Sequence, residues 1–370
     1  MKSSEGLYFE RLDHLRGLAA LLVFLWHYIY LNKNISQTFV PDPIFMPFVR
    51  GHLGVSLFMV LSGYLFAKLL SGRNINYAAF LWNRVLRLFP LLIFVAAVIA
   101  LQKFRKSGNL FDYELELLEG FVAPTWPNGG WSIAVELHFY LLLPFLLYFN
   151  RKNKFNFLIV IGGMLAIRTA LYFLGANIVW LSYHTIIGRL DQFVIGISLH
   201  SVFYNTKIKS SVMLGTSVLM GLFYMWVIGL GVFLDITETT AAHPVWIVLQ
   251  TIEGMYFGML VVWYEKLDFK IPIQVSRALA IPGTLSYSAY LLHAFFYQQA
   301  NGFMRKFVYE GDNIYGNILT GFLAFICLLP IFWVTYNLLE KPFLRWRKIY
   351  TKAKPVQLNL ASSDSTVAVT

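Results

Sequence analysis

Apolar stretches of about 20 residues recur along almost the whole of this chain, separated by short polar segments. A helix of that length crosses the hydrocarbon core of a bilayer. Lipid cannot satisfy backbone N–H and C=O groups, so such stretches must close their hydrogen bonds internally, as helices. The stretches fall at about residues 15–31, 53–70, 86–103, 131–149, 156–174, 185–204, 212–234, 244–264, 284–301 and 315–338. They predict an all-α, polytopic membrane protein with about ten transmembrane helices. Composition agrees: 58% of the 370 residues are hydrophobic and 13% charged. Ordinary soluble domains are less apolar than this.

The basic residues give the expected orientation. With the N-terminus inside, the cytoplasmic segments hold 21 Lys and Arg and the outer segments 7. This bias alternates loop by loop and predicts that both termini are cytoplasmic. The formal net charge of +11 then follows from topology and anionic lipid, and implies no nucleic acid. The first stretch lacks a small-residue cleavage site, so it is expected to remain as a helix. Cys327 is the only cysteine, which excludes an intrachain disulfide and any multi-cysteine metal site. No metal is expected. Residues 1–350 read as one membrane domain, and 351–370 as a disordered cytoplasmic tail.

Ionisable residues inside such stretches are costly and therefore functional candidates. Arg16 and His27 bracket RGLAALLVFLWH in the first stretch. Their spacing is about three helical turns, roughly 16 Å of rise, so they share a face. Arg84 and Arg87, in NRVLRLFP, lie three apart on one face near a cytoplasmic mouth. They either fix orientation or hold phosphate, which suits the planar guanidinium fork. Ser62 and Gly63 read as small packing residues.

The fourth stretch opens with GGWSIAVELHFYLLLP. Trp131 reads as an interfacial anchor. Glu136 lies about one and a half turns in and needs a partner. Tyr140 is one turn away; Arg168 or Arg189 would make a structural ion pair instead. His138 falls on a different face. Arg168, Arg189 and Asp191 sit toward the outer half, where they would line a polar cavity for a hydroxyl-rich substrate or an ion. In SYSAYLLH, Ser286, Tyr290 and His293 form a stripe with Tyr287 offset. They either line a cavity or make interhelical hydrogen bonds. Glu340 and Lys341 read as a cap and orientation signal.

In this order, RLDHLRGLAALLVFLWH, LFMVLSGYLF, NRVLRLFP, WSIAVELHFYLLLP, SYSAYLLH and EKPF resemble the acyltransferase-3 family of integral membrane acyltransferases. The resemblance runs from about residue 11 to 345. It implies transfer of an acyl group, usually acetyl, from cytoplasmic acyl-CoA to a hydroxyl of a cell-surface or lipid-linked glycan. Acyl-CoA is then a substrate, with no bound cofactor. The resemblance also implies essential roles for Arg16 and His27, and donor binding by Arg84 and Arg87. Some relatives add a C-terminal esterase-like domain. This sequence is read as the membrane domain alone, in a bacterial inner membrane.

The expected chemistry is attack of an acceptor hydroxyl on a thioester, with His27 as general base or as a transiently acylated nucleophile. Arg16 and Glu136 complete the catalytic set in this reading. Trp131, Arg168, Arg189, Asp191, Ser286, Tyr290 and His293 form the acceptor side. The competing reading is a secondary transporter or glycan flippase, which also needs buried ionisable groups.

Overall fold

A computed structural model describes residues 8–31, 46–49, 51, 53–70, 73–153, 155–206, 209–233, 243–310 and 313–353. The regular structure of the described residues is helical, apart from one small ribbon. Helices α1 (Glu10–Tyr30), α2 (Met46–Val49) and α3 (Leu53–Leu70) lead into strand β1 (Arg73–Ile75). There follow α4 (Tyr77–Ser107), α5 (Phe111–Glu119), α6 (Trp131–Lys152), α7 (Phe157–Phe173), α8 (Ile178–His184), α9 (Ile186–Phe203) and α10 (Ser210–Phe233). The last part holds α11 (Leu249–Glu265), α12 (Ile273–Thr284), α13 (Ser286–Phe307) and α14 (Ile314–Thr335). A π-helical turn (Tyr336–Glu340), a 3-10 turn (Phe343–Trp346) and strand β2 (Thr351–Ala353) close the described chain.

Among the described residues, six helical segments are long and apolar enough to cross a membrane: Leu53–Leu70, Tyr77–Lys106, Trp131–Lys152, Ile186–Phe203, Ser210–Val227 and Ile314–Glu340. This is fewer than the ten stretches read from the sequence, although helix occupies the other four as well. The reasons are local. Helix α1 carries Glu10, Arg11, Asp13 and Arg16 in its first two turns. Helices α7 and α11 have 17 residues each. Helix α13 interrupts its apolar positions with Ser, Gln, Asn and Arg.

Helix packing rests on close backbone approach. A Cβ on Gly63 would fall 2.0 Å from the Phe193 carbonyl oxygen, and one on Gly196 would fall 2.2 Å from that of Val60. These two glycines therefore let α3 and α9 lie nearly backbone to backbone, as small residues do in membrane bundles.

Basic residues gather at one end of the bundle. Arg11 donates to the carbonyls of Tyr264 and Glu265, and Lys68 pairs with Glu265. Arg151 donates to the carbonyls of Leu70 and Arg73. Strand β2 pairs antiparallel with β1 at this end, Arg73 opposite Ala353 and Ile75 opposite Thr351. Thr351–Ala353, the first residues of the expected tail, lie in this pairing. Residues 354–370 lie outside the described residues.

Candidate active site

The first turns of α4 and α13 meet α1, α3 and α6 around a cleft with an empty volume of about 780 Å³. Helix α1 contributes Arg16, and α4 contributes Arg84 and Arg87. Ser62 comes from α3, and Ser132, Glu136 and Tyr140 from α6. Helix α13 supplies Ser286, Tyr287 and Tyr290, while Phe58, Phe66 and Phe193 make much of the apolar wall. The cleft therefore carries three guanidiniums and one carboxylate in a largely apolar surround.

Each guanidinium is held differently. Arg16 Nη1 donates to Asp13 Oδ1 at 3.0 Å, one turn back on its own helix. Arg84 stacks over Phe66 at 5.2 Å and Phe80 at 5.4 Å, contacts that hold a cation without neutralising it. Arg87 lies 3.9 Å from Glu340 Oε2, and Ser288 donates to the other oxygen of that carboxylate. Glu340 is buried, so it is an internal ion partner and not the interfacial cap expected from the sequence. The residue was visible in EKPF, but its pairing with Arg87 was not.

Glu136 accepts hydrogen bonds from Ser62 Oγ at 3.2 Å and from the Tyr140 hydroxyl. Tyr140, one turn away as the spacing indicates, is a partner, and the alternative ion pair with Arg168 or Arg189 does not form. Ser62, read as a packing residue, is thus a polar partner. Ser132 was missed: its Oγ donates to the Tyr290 hydroxyl at 2.7 Å, and that hydroxyl donates to the Gly129 carbonyl at 2.9 Å. Gly129 has φ 77°, a left-handed conformation that glycine adopts readily. The loop before α6 is pinned to α13 at this point.

His27 and His293 do not line the cleft. They form a pair beyond Tyr290, with ring centroids 4.6 Å apart. The His293 ring is 6.0 Å from the Tyr290 ring. His27 Nδ1 donates to the Val23 carbonyl at 2.9 Å, and His293 Nδ1 donates to the Tyr290 carbonyl at 2.5 Å. A neutral imidazole that donates from Nδ1 keeps its lone pair on Nε2. Both rings thus have the tautomer that a base or nucleophile at Nε2 requires.

The remaining expected residues lie elsewhere. Arg168, Arg189 and Asp191 have no solvent exposure and do not line the cleft. Arg168 Nη2 donates to Asp191 Oδ2 at 2.6 Å and to Thr251 Oγ1 at 3.0 Å. Arg189 Nη1 lies 3.6 Å from Glu253 Oε2 and donates to Ser56 Oγ at 2.8 Å. Glu253, a lone acid in an apolar stretch, was a signal the sequence reading passed over. Trp131 packs on Tyr183 and His184 at 5.1 and 5.0 Å, and it faces the Arg189 guanidinium at 5.8 Å. His138 pairs with the Phe121 carbonyl through Nε2 at 2.7 Å. Among the described residues, no His, Cys, Asp and Glu cluster could hold a metal.

Comparison with known proteins gives this constellation a context. The acyltransferase-3 family model, described as an acyltransferase domain, matches residues 9–337. The chain belongs to this family. The match is to the family's acyltransferase domain, and the apolar helices described above make the chain an integral membrane protein. Nodulation protein 10 of Rhizobium leguminosarum bv. viciae is 30% identical over 171 residues, covering 38% of this chain and 45% of that protein. The peptidoglycan O-acetyltransferase OatA of Listeria monocytogenes serovar 1/2a is 28% identical over 189 residues, covering 43% and 28%. The aligned regions span less than half the length of these curated relatives. No solved structure matches the chain.

Proposed function

We propose that this chain is a membrane O-acetyltransferase that carries an acetyl group from cytoplasmic acetyl-CoA to a glycan hydroxyl. In this reading the chain lies in a bacterial inner membrane, with about ten spans and both termini cytoplasmic. The observation that carries it is the cleft itself. Guanidiniums from α1 and α4 stand in its wall, hydroxyls of Ser132, Ser286 and Tyr290 share it, and an imidazole pair lies beyond Tyr290. The printed name of the Listeria relative supports acetyl as the group and a glycan as the acceptor.

The chemistry follows from the atoms present. Arg84 and Arg87 bind the phosphates of the donor, since guanidinium matches phosphate oxygens with two parallel hydrogen bonds. The acyl arm extends along the apolar wall toward Tyr290. His27 Nε2 takes the proton of the acceptor hydroxyl as its oxygen bonds to the thioester carbonyl carbon. The C–S bond then breaks, and the thiolate of CoA takes up the proton. Arg16 stabilises negative charge in the cleft, and Glu136 orients Tyr140, whose ring faces the Arg84 guanidinium at 5.8 Å.

The test uses inverted membrane vesicles that contain the parent chain or His27→Ala, with acetyl-labelled acetyl-CoA and a crude glycan fraction. Label enters the glycan with the parent and not with the variant. Equal labelling with both would remove His27 from the chemistry. No labelling with either, across several donors and acceptors, would overturn the donor and acceptor assignment. Acid-quenched protein that retains label on His27 would replace the base role by transient acylation.

A further inference from the structure

After its last long helix the chain does not leave the bundle. It folds back along the first turns of α4, where Arg84 and Arg87 lie. Asn83 makes two reciprocal bonds to Lys348: its Nδ2 donates to the Lys348 carbonyl at 2.7 Å, and its Oδ1 accepts from the Lys348 N–H at 2.8 Å. The Tyr350 carbonyl accepts from the Asn76 N–H at 2.7 Å, and the Tyr350 ring packs on Phe80 at 5.5 Å. Trp82 Nε1 donates to the Trp346 carbonyl at 3.3 Å. These contacts fix the hook on both sides of residue 347. They hold the backbone of Arg347 between residues bonded to Trp82 and Asn83, the two positions just before Arg84, and the Arg347 Nε donates to the Leu344 carbonyl at 3.0 Å.

We propose that Arg347 completes a three-guanidinium site with Arg84 and Arg87, and that this site binds a phosphate-dense anion. On the donor reading given above, on which this assignment rests, the occupant is the 3′-phosphorylated, diphosphate end of acyl-CoA. Like charges are not gathered without a counterion at no cost. Burial first, then the charges of Arg87 and Arg84, push the Arg347 guanidinium below its ordinary pKa. Glu340 offsets part of this charge through Arg87, and Arg84 has no carboxylate within 4.0 Å among the described residues. The stacking of Arg84 on Phe66 and Phe80 leaves its charge available to a ligand. The hook also lies beyond residue 337, where the family match ends, so family membership does not assign it.

The experiment measures binding of labelled acetyl-CoA and of adenosine 3′,5′-bisphosphate to the purified full chain in uncharged detergent. Arg347→Gln and Arg347→Lys are compared with the parent. A charge-assisted contact predicts about 10- to 100-fold weaker binding of both ligands by Arg347→Gln. Arg347→Lys falls in between, because it keeps the charge and loses the fork. Parent-like affinity in Arg347→Gln overturns the site. Should that variant not fold, Arg347→Lys carries the test, and unchanged affinity there overturns it. Arg347-dependent binding of the bisphosphate by a chain that cannot use acetyl-CoA keeps the anion site and refutes the donor reading. Arg347-dependent retention of phosphatidylglycerol, with neither nucleotide bound, overturns acyl-CoA as occupant and assigns the phosphate to a lipid headgroup.

Discussion

Asp191→Asn is the sharpest perturbation of the buried ionic layer. The Asp191 carboxylate accepts from Arg168 Nη2 at 2.6 Å, from Thr251, and from the Gln192 N–H at 3.0 Å. Arg168 and Asp191 have no solvent exposure, so the variant leaves a guanidinium without its counterion and without water. Removing one partner of a buried pair costs about 3–5 kcal/mol. That is a large share of a total stability of about 5–15 kcal/mol. Replacing both partners with apolar residues of similar size is close to neutral in such cases. The double variant Arg168→Met with Asp191→Leu should therefore recover most of what Asp191→Asn loses. Thermal unfolding in detergent, with size-exclusion profiles, gives the stability arm, and acetyl transfer in vesicles gives the activity arm. We expect Asp191→Asn to lose folded protein, and the double variant to regain both fold and transfer. A double variant as stable as the parent but inactive would refute a structural role and return these residues to the acceptor side.

Two further predictions concern other parts of the molecule. A Cβ on Gly283 would fall 1.7 Å from the Asp13 carbonyl oxygen, whereas one on Gly162 or Gly163 meets nothing within 4 Å. Gly283→Ala should push α12 from α1, displace Arg16 through Asp13, and lower both thermal stability and transfer. Gly162→Ala should leave transfer intact and stabilise α7 by about 0.5–1 kcal/mol, and equal effects of the two would refute the contact argument. His184, at the end of α8, has its pKa pushed down to about 4 by burial and then by Arg189. The unfolded chain holds this proton below about pH 6.5, and the folded chain takes it up only near 4. Stability should thus be full above pH 6.5 and fall as the pH drops from there toward 4. His184→Gln should flatten that part of a melting-temperature profile, and an unchanged slope would assign it to other groups.

Sequence periodicity located the helices well, because apolar length is a one-dimensional property. Leu53–Leu70 and the start of α6 at Trp131 coincide with the expected boundaries. Pairing between distant helices was not legible. Glu136 needed a partner, and its spacing offered Tyr140 one turn away, but nothing in the sequence pointed to Ser62 on α3. Glu340 looked interfacial because it sits beside Lys341 and Pro342. Its burial depends on how the turn before it rotates. Arg16 and His27 were expected on one face, yet only Arg16 lines the cleft. That separation comes from Tyr290 and the loop at Gly129, more than a hundred residues away in the chain. The polar residues of α3 and α11 were hidden for a related reason. Ser56 and Glu253 are isolated in sequence and acquire meaning only where α3, α9 and α11 meet.

The π-helical turn at Tyr336–Glu340 sets the phase of everything after it. The Lys341 N–H donates to the Tyr336 carbonyl, five residues back, at 2.9 Å. One residue more than an α-helical turn is accommodated there. A residue advances an α-helix by about 100°. Deleting any one residue between 336 and 339 would relax the turn into ordinary helix and rotate the following chain by roughly that angle. Glu340 would swing away from Arg87, and Lys348 would lose its register with Asn83. A single-residue frame thus couples the polar interior of the bundle to the edge ribbon, and a deletion there should be far more damaging than any substitution at the same positions.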